Sequence, residues 1–356
     1  MNTFNKILIN WYDQKKYSFP WRNTSNPYHI WVSEIMLQQT QVNTVIPFYN
    51  SWIQRFPTLH DVAEASDEQI FKYWEGLGYY RRALHLRDAC IQIIENYCAQ
   101  IPDTKQELLT LKGIGDYTAS AISSIAFGHP IPAIDGNVKR IMSRLLALSD
   151  FKISSLNKMQ SFLDQQINSD RAGDFNQALM DLGRTICQPR NPKCNNCPIS
   201  MFCLAFKNNQ TDKFPVRSKN KKIIPHYNIG VGVIWHGDKI LITKRKKDQL
   251  LGGLWEFPGG KIQDDESIED CIKREAKEEL GITIKVKKFI IKVNHQYSHF
   301  KITLHAYHCQ YIEGFIKCLQ VDDWTWINPN AFSDYPFPKA NHYIFPKILN
   351  TYEATC

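Results

Sequence analysis

The feature that most constrains this chain is a change of period near its middle. Residues 1–206 carry apolar side chains at helical spacing, broken by turn signals such as Phe19-Pro20-Trp21-Arg22, Phe56-Pro57 and Ile101-Pro102-Asp103. Strand-like alternation is scarce there. From Ile229 onward the runs shorten. Ile229–Trp235, Lys239–Thr243, Ile284–Val293 and Lys301–His308 read as strands, interrupted by one helix over Ser267–Leu280. A chain of 356 residues is too long for one ordinary core. The expectation is therefore an all-α domain over 1–206, a linker over 207–228 and an α/β domain over 229–356. The linker is polar and basic, with Lys213, Arg217, Lys219, Lys221 and Lys222, and reads as solvated with DNA-backbone contact as a further role. Within the first domain, Ile30–Ile46 predicts one helix on Val32, Ile35, Val42, Val45 and Ile46. Ser66-Asp67-Glu68-Gln69 predicts a capped start for another.

Composition narrows the class only a little. A net charge of +8 and 12% aromatic residues suit a polyanion partner and base stacking, and suit an ordinary basic protein equally well. No apolar run reaches membrane-spanning length, and the N-terminus lacks the pattern of a secretory signal. The expected state is a cytoplasmic monomer, nuclear or organellar if eukaryotic, with no membrane partner. Of the ten cysteines, Cys90, Cys98, Cys271, Cys309, Cys318 and Cys356 are scattered and read as packing residues. The other four cluster as Cys187-x6-Cys194-x2-Cys197-x5-Cys203. Four thiolates so close can hold zinc or an iron–sulfur cluster, and ligand softness does not choose between them.

The stretch Leu111–Arg140 carries the first hint of chemistry. Leu111-Lys112-Gly113-Ile114-Gly115 sets two glycines in front of a helical run, where positive φ and exposed backbone N–H groups make a phosphate anchor. About twenty residues on, Asp135 stands alone between the apolar pair Ala133-Ile134 and Gly136. A phosphate anchor with one acid nearby fits an enzyme that holds DNA and works on it. Taken singly, Asp135 reads as well as a helix N-cap, and Glu34 as a surface helix residue.

Together these segments resemble the helix-hairpin-helix glycosylase superfamily, and within it the MutY-type adenine DNA glycosylases, over residues 5–206. The resemblance is carried by Phe19–Arg22, Trp31–Val42 (WVSEIMLQQTQV), Gly76-Leu77-Gly78-Tyr79-Tyr80, the glycine turn and Phe175–Gly183 (FNQALMDLG). It implies a 4Fe–4S cluster on Cys187, Cys194, Cys197 and Cys203, with Lys193 in a basic loop against DNA. The implied reaction is removal of adenine opposite 8-oxoguanine or guanine in double-stranded DNA. Cleaving that bond calls for an acid still protonated near neutrality and a second, ionised carboxylate beside the sugar cation. Glu34, among Trp31, Ile35 and Leu37, fits the first role, because desolvation raises a carboxyl pKa. Asp135 fits the second. The resemblance assigns Tyr117 and Asn137 to orienting these groups, and Trp21, Arg22 and Gln177 to the adenine pocket. Gln39 and Tyr79 are assigned to the gap left by the flipped base, and Gly113 and Gly115 to the DNA backbone. Endonuclease III-like enzymes, the alternative reading, carry a lysine nucleophile where Tyr117 stands. Tyrosine cannot form their imine, so simple hydrolysis to an abasic site is expected.

The second domain holds Gly260-x5-Glu266-x7-Arg274-Glu275-Ala276-Lys277-Glu278-Glu279-Leu280-Gly281-Ile282, a complete Nudix box. Glu275, Glu278 and Glu279 share one helix face and, with the Gly259 carbonyl, are expected to be able to hold Mg²⁺. His295-Gln296-Tyr297-Ser298-His299-Phe300 resembles the MutY-type loop that recognises 8-oxoguanine, through Tyr297, Ser298 and His299. The domain is thus expected to sense 8-oxoguanine, with hydrolysis of 8-oxo-dGTP as a second activity if the box is functional. A bacterial source is expected.

Overall fold

The structure, a computed structural model, describes residues 3–15, 17–216, 224–297 and 299–353. Arg217, Lys219, Lys221 and Lys222 of the expected linker lie outside the described residues, as do Ser298 and Cys356. The chain divides into two compact units, Met1–Glu64 with Leu84–Lys221, and Ala65–Ala83 with Lys222–Cys356.

The first unit is helical, as the periodicity predicts. Helix Ala172–Thr185 packs against helices Thr3–Lys15, Asp116–Ile125 and Gly136–Leu145. Its apolar face, with Phe175, Leu179 and Leu182, joins Phe4, Leu8 and Leu163 in one core. Truncating any of these to alanine removes about 2–5 kcal/mol. At Gly173 an added Cβ would stand 2.9 Å from the Ile125 Cα, so glycine is what lets the two helices meet. The helix expected over Ile30–Ile46 is two, Pro27–Leu37 and Val42–Arg55. Gln38-Gln39-Thr40-Gln41 offers no apolar side chain to continue the buried stripe, and Gln39 takes φ 61. The apolar spacing happens to resume in phase at Val42, which hides the break.

In the second unit one seven-stranded sheet is built from β1 (His226–His236), β2 (Lys239–Lys244), β3 (Trp255–Glu256), β4 (Gly259–Lys261), β5 (Thr283–Gln296), β6 (Lys301–Glu313) and β7 (Asp323–Ile327). The order is β3-β2-β1-β6-β5, with β4 paired to β1 and β7 to β2. Only the β1–β6 pair among them is parallel. Helix Ile268–Leu280 starts at Ser267, whose Oγ accepts from the Asp270 N–H at 3.1 Å, and ends at Gly281. It lies close on β1 because Gly230 and Gly232 leave room: a Cβ there would meet Ile272 at 3.1 and 2.9 Å. Segment 65–83 joins this unit. Its helix Asp67–Trp74 has the expected capping box at Ser66. Phe71 fills the space over Gly253, Glu68 pairs with Lys244, Asp67 pairs with Lys247 at 2.7 Å, and Glu75 accepts from the Phe337 N–H at 2.8 Å. Among the described residues no helix is long and apolar enough to cross a membrane.

The cysteine reading needs correction. Among the described residues no group of three or more His, Cys, Asp or Glu side chains is arranged to hold a metal ion, so neither the 4Fe–4S cluster nor a metal-binding loop is borne out. All four thiols are free. Cys187, Cys197 and Cys203 pack against the apolar core. The Arg144 Nη1 donates to Cys187 Sγ at 3.2 Å, and Cys203 Sγ donates to the Arg144 carbonyl at 3.5 Å. Burial pushes the Cys194 and Cys203 thiols up, and the Cys197 thiol to about 12. Of the scattered cysteines, Cys90, Cys271 and Cys309 are buried as packing residues, whereas Cys98 and Cys318 are exposed.

Candidate active site

Three elements of the first unit converge on one carboxylate pair. Helix Pro27–Leu37 begins with Pro27 after the N-cap Asn26, whose Oδ1 accepts from the Tyr28 N–H at 2.9 Å. It carries Glu34 in its last turn, buried at 6% exposure beside Trp31 and Ile35. Just past its end, Gln38 Nε2 donates to Thr118 Oγ1 at 3.3 Å. That bond ties it to helix Asp116–Ile125, whose second residue is Tyr117. The Tyr117 hydroxyl donates to Glu34 Oε2 at 2.6 Å. The third element is helix Gly136–Leu145, capped by Asp135. Its Oδ1 accepts from the Val138 N–H at 2.7 Å and its Oδ2 from Asn137 Nδ2 at 2.9 Å. Asp135 is thus an N-cap and a member of this site at once, while Glu34 is no surface residue.

Burial sets the protonation states. Desolvation lifts Glu34 to about 7, the Tyr117 hydrogen bond and the Arg22 charge oppose the rise, and Asp135 adds to it. Desolvation also raises Asp135, with the Val138 N–H and Asn137 opposing the rise. Tyr117 is pushed well above its ordinary value by burial and by the Glu34 charge, so it remains a donor.

The turn before Tyr117 is only half as expected. Gly113 has φ 77, and a Cβ there would stand 2.6 Å from the His85 Cβ. Gly115 is extended, at φ −97 and ψ 178, with open space around it. Asp116, an acid in a turn read as a phosphate anchor, pairs with Lys105 Nζ at 2.6 Å and is largely exposed.

Trp21, Arg22, Glu34, Gln39, Gly113, Gly115, Tyr117, Asp135, Asn137 and Gln177 line one cavity of about 1340 Å³. Positions quoted only as a motif turn out to build the wall. Buried Asn176 donates from Nδ2 to Ser124 Oγ at 2.7 Å and to the Ile131 carbonyl at 2.9 Å, and its Oδ1 accepts from the Ala133 N–H at 2.9 Å. It thereby fixes the chain just before Asp135. Gly183 admits Asn137, whose Cβ would lie 2.6 Å from an added Cβ. Arg140 Nη2 then bonds both Asn137 Oδ1, at 2.8 Å, and the Gly183 carbonyl, at 2.9 Å. The available signal was polar and glycine residues on the buried face of an amphipathic helix.

The sequence matches two families. Residues 32–165 match the HhH-GPD superfamily base excision DNA repair proteins, and residues 230–347 match the NUDIX domain. An adenine DNA glycosylase of Homo sapiens is 32% identical, over all of this chain and 76% of its own length. One from Buchnera aphidicola subsp. Schizaphis graminum is 33% identical over 94% of this chain and 96% of its own. The chain belongs to the adenine DNA glycosylase family. It is an enzyme, a hydrolase of N-glycosyl bonds. A thermostable thymine-DNA glycosylase of known structure aligns with 58% of this chain and 95% of its own, at TM-score 0.52 and 27% identity.

Other predicted residues of this glycosylase fall elsewhere. Lys193 is exposed and does not line the cavity. Tyr79, Tyr297 and His299 belong to the second unit. There Tyr79, at φ 50, presents its ring edgewise to His299 with centroids 6.2 Å apart, and Tyr297 stacks on Phe300 at 4.7 Å. In the Nudix box, Arg274 draws in the acids. It reaches Glu266 at 2.7 Å, Glu275 at 2.8 Å and Glu278 at 3.0 Å. Glu279 Oε2 accepts from the Gly259 N–H at 3.3 Å, and burial near Glu256 and Glu275 lifts it to about 8. Glu275 and Glu278, on Arg274, and Glu279, on Gly259, are the side chains expected to hold Mg²⁺.

Proposed function

We propose that this enzyme removes adenine from A:8-oxoguanine and A:G mispairs in double-stranded DNA by simple hydrolysis, leaving an abasic site. The observation that carries the reading is the buried Glu34, held by Tyr117 and sharing one cavity with Asp135. With Oε2 accepting from Tyr117, the Glu34 proton belongs on Oε1, from which it passes to N7 of the flipped base. Protonated adenine is a good leaving group. As the C1′–N9 bond breaks, positive charge grows on the sugar and ionised Asp135 stabilises it. Water then adds at C1′ and its proton goes to the Glu34 carboxylate, which restores the acid. Trp21, Arg22 and Gln177 contact the base, Gln39 fills the space it leaves, and Gly113 and Gly115 meet the backbone. No lysine stands at Tyr117, so no imine intermediate forms.

In the second unit, Tyr297, Ser298 and His299 contact 8-oxoguanine. We infer sensing rather than hydrolysis of 8-oxo-dGTP, because Arg274 engages the box carboxylates. Single-turnover adenine release from an A:8-oxoguanine duplex is the test of the main reading. Release without borohydride-trappable adduct is expected, and no release would overturn it. The full-length protein is expected to liberate no pyrophosphate from 8-oxo-dGTP.

A further inference from the structure

One buried carboxylate of the first unit has no part in the chemistry above. Asp181, on helix Ala172–Thr185, is 2% exposed, yet it stands between two guanidinium groups. Its Oδ2 accepts from Arg22 Nη1 at 3.0 Å, and its Oδ1 from Arg184 Nη2 at 3.3 Å. The same Arg22 nitrogen donates to the Tyr12 hydroxyl at 2.8 Å. Arg22 also lies over the Tyr12 and Phe19 rings, at 5.6 and 5.5 Å, and Arg184 over Tyr17 and Phe19, at 4.7 and 5.1 Å. Arg22, Asp181 and Arg184 share the cavity wall with Glu34.

A cation in that wall is a hazard to a neutral acid. A guanidinium that reached Glu34 would form a fork-to-fork ion pair and take the carboxylate ionised. The acid would then have no proton to give. Avoiding this outcome needs an anchor that engages the same cation first. An aspartate nearly free of water, with a second arginine balancing its charge, is such an anchor.

We propose that Asp181 is a positioning residue, which by holding the Arg22 guanidinium keeps it from pairing with Glu34 and so preserves the proton that the reaction delivers. This rests on reading Glu34 as the acid. The charged and titratable groups around Glu34 are Tyr117, Arg22 and Asp135. Those around Arg22 and Asp181 are Tyr12 and Arg184, with Asp174 near Tyr12.

The test is the pH profile of single-turnover adenine release by the full-length enzyme. In Asp181→Asn the neutral amide no longer holds the cation. The alkaline limb is expected to move to lower pH by about one unit, giving an about tenfold lower rate above pH 7.5 and a rate near wild type at pH 5.5. In Tyr12→Phe, which removes only the second hold on Arg22 Nη1, the limb moves the same way by less. Asp181→Glu restores most of the wild-type profile. A rate lowered equally at every pH, with the limb in place in both Asp181→Asn and Tyr12→Phe, would overturn the proposal. Should Asp181→Asn not fold, Tyr12→Phe decides alone. Failure of the underlying reading looks different: the wild-type profile would lack an alkaline limb, or Glu34→Gln would keep full activity.

Discussion

The two units hold their acids in opposite ways. In the first, Glu34 and Asp135 come from different helices, and each has its own uncharged donors, the Tyr117 hydroxyl for one and Asn137 with a helix N-terminus for the other. In the second, Glu266, Glu275 and Glu278 crowd around Arg274. A carboxylate clamped by a cation loses its affinity for protons, and Glu266 is pulled down to about 2 by its Arg274 bond. A buried carboxylate whose hydrogen-bond donor is a hydroxyl keeps its affinity for protons, as Glu34 does. The difference separates acids built for proton transfer from acids built for holding a helix in place.

Four substitutions probe that contrast, in falling order of effect. Asp135→Asn removes the charge beside the sugar cation and is expected to lower single-turnover adenine release by about 10³-fold or more, without loss of duplex binding. An activity within tenfold of wild type would place the stabilising charge elsewhere. Glu34→Gln removes the acid and is expected to lower release by about 10²- to 10³-fold. It also has a signature in stability. The folded-state value near 7 lies above the ordinary 4.5, so the contribution of Glu34 is complete below pH 4.5 and is lost as pH rises through 7. The gap corresponds to roughly 3 kcal/mol. Glu34→Gln should therefore melt higher than wild type at pH 8 and not at pH 5, as calorimetry would reveal. Tyr117→Phe deletes the bond that favours ionised Glu34. A loss of about tenfold is expected, with the alkaline limb moved to higher pH; a limb moved downward would contradict the arrangement. Arg274→Gln unclamps the second set of acids. It should leave adenine release within about twofold, with a slightly lower melting temperature. A large loss of release would show that the two sets are coupled.

Much of this could be read before the fold was known, because it is local. The capping box at Ser66 and the helix Ile268–Leu280 are written in neighbouring residues. So is the apolar setting of Glu34. Other features are decided by distant partners. Asn176, Asp181 and Gly183 sit in a motif that reads as one more amphipathic helix, and only the packing of three helices reveals what they hold. The Gln38–Gln41 break was hidden by spacing that resumes in phase. The cysteine reading failed for a related reason. Spacing fixes how far apart thiols lie along the chain, while core packing and Arg144 decide where each sulfur turns.

The membership of Ala65–Ala83 in the second unit bears on biosynthesis. Glu75 finds its partner Phe337 only 262 residues later in the chain. At about 5–20 residues per second, a ribosome takes roughly 13–50 s to supply it. Throughout that interval the nascent polypeptide carries Ile70, Phe71 and Trp74, all of which end up buried, ahead of most of the unit they belong to. A premature stop anywhere before the sheet would release a product with those side chains lacking their native surroundings, a substrate for chaperones and proteases. Likewise, no single cut in the gene separates the two units cleanly.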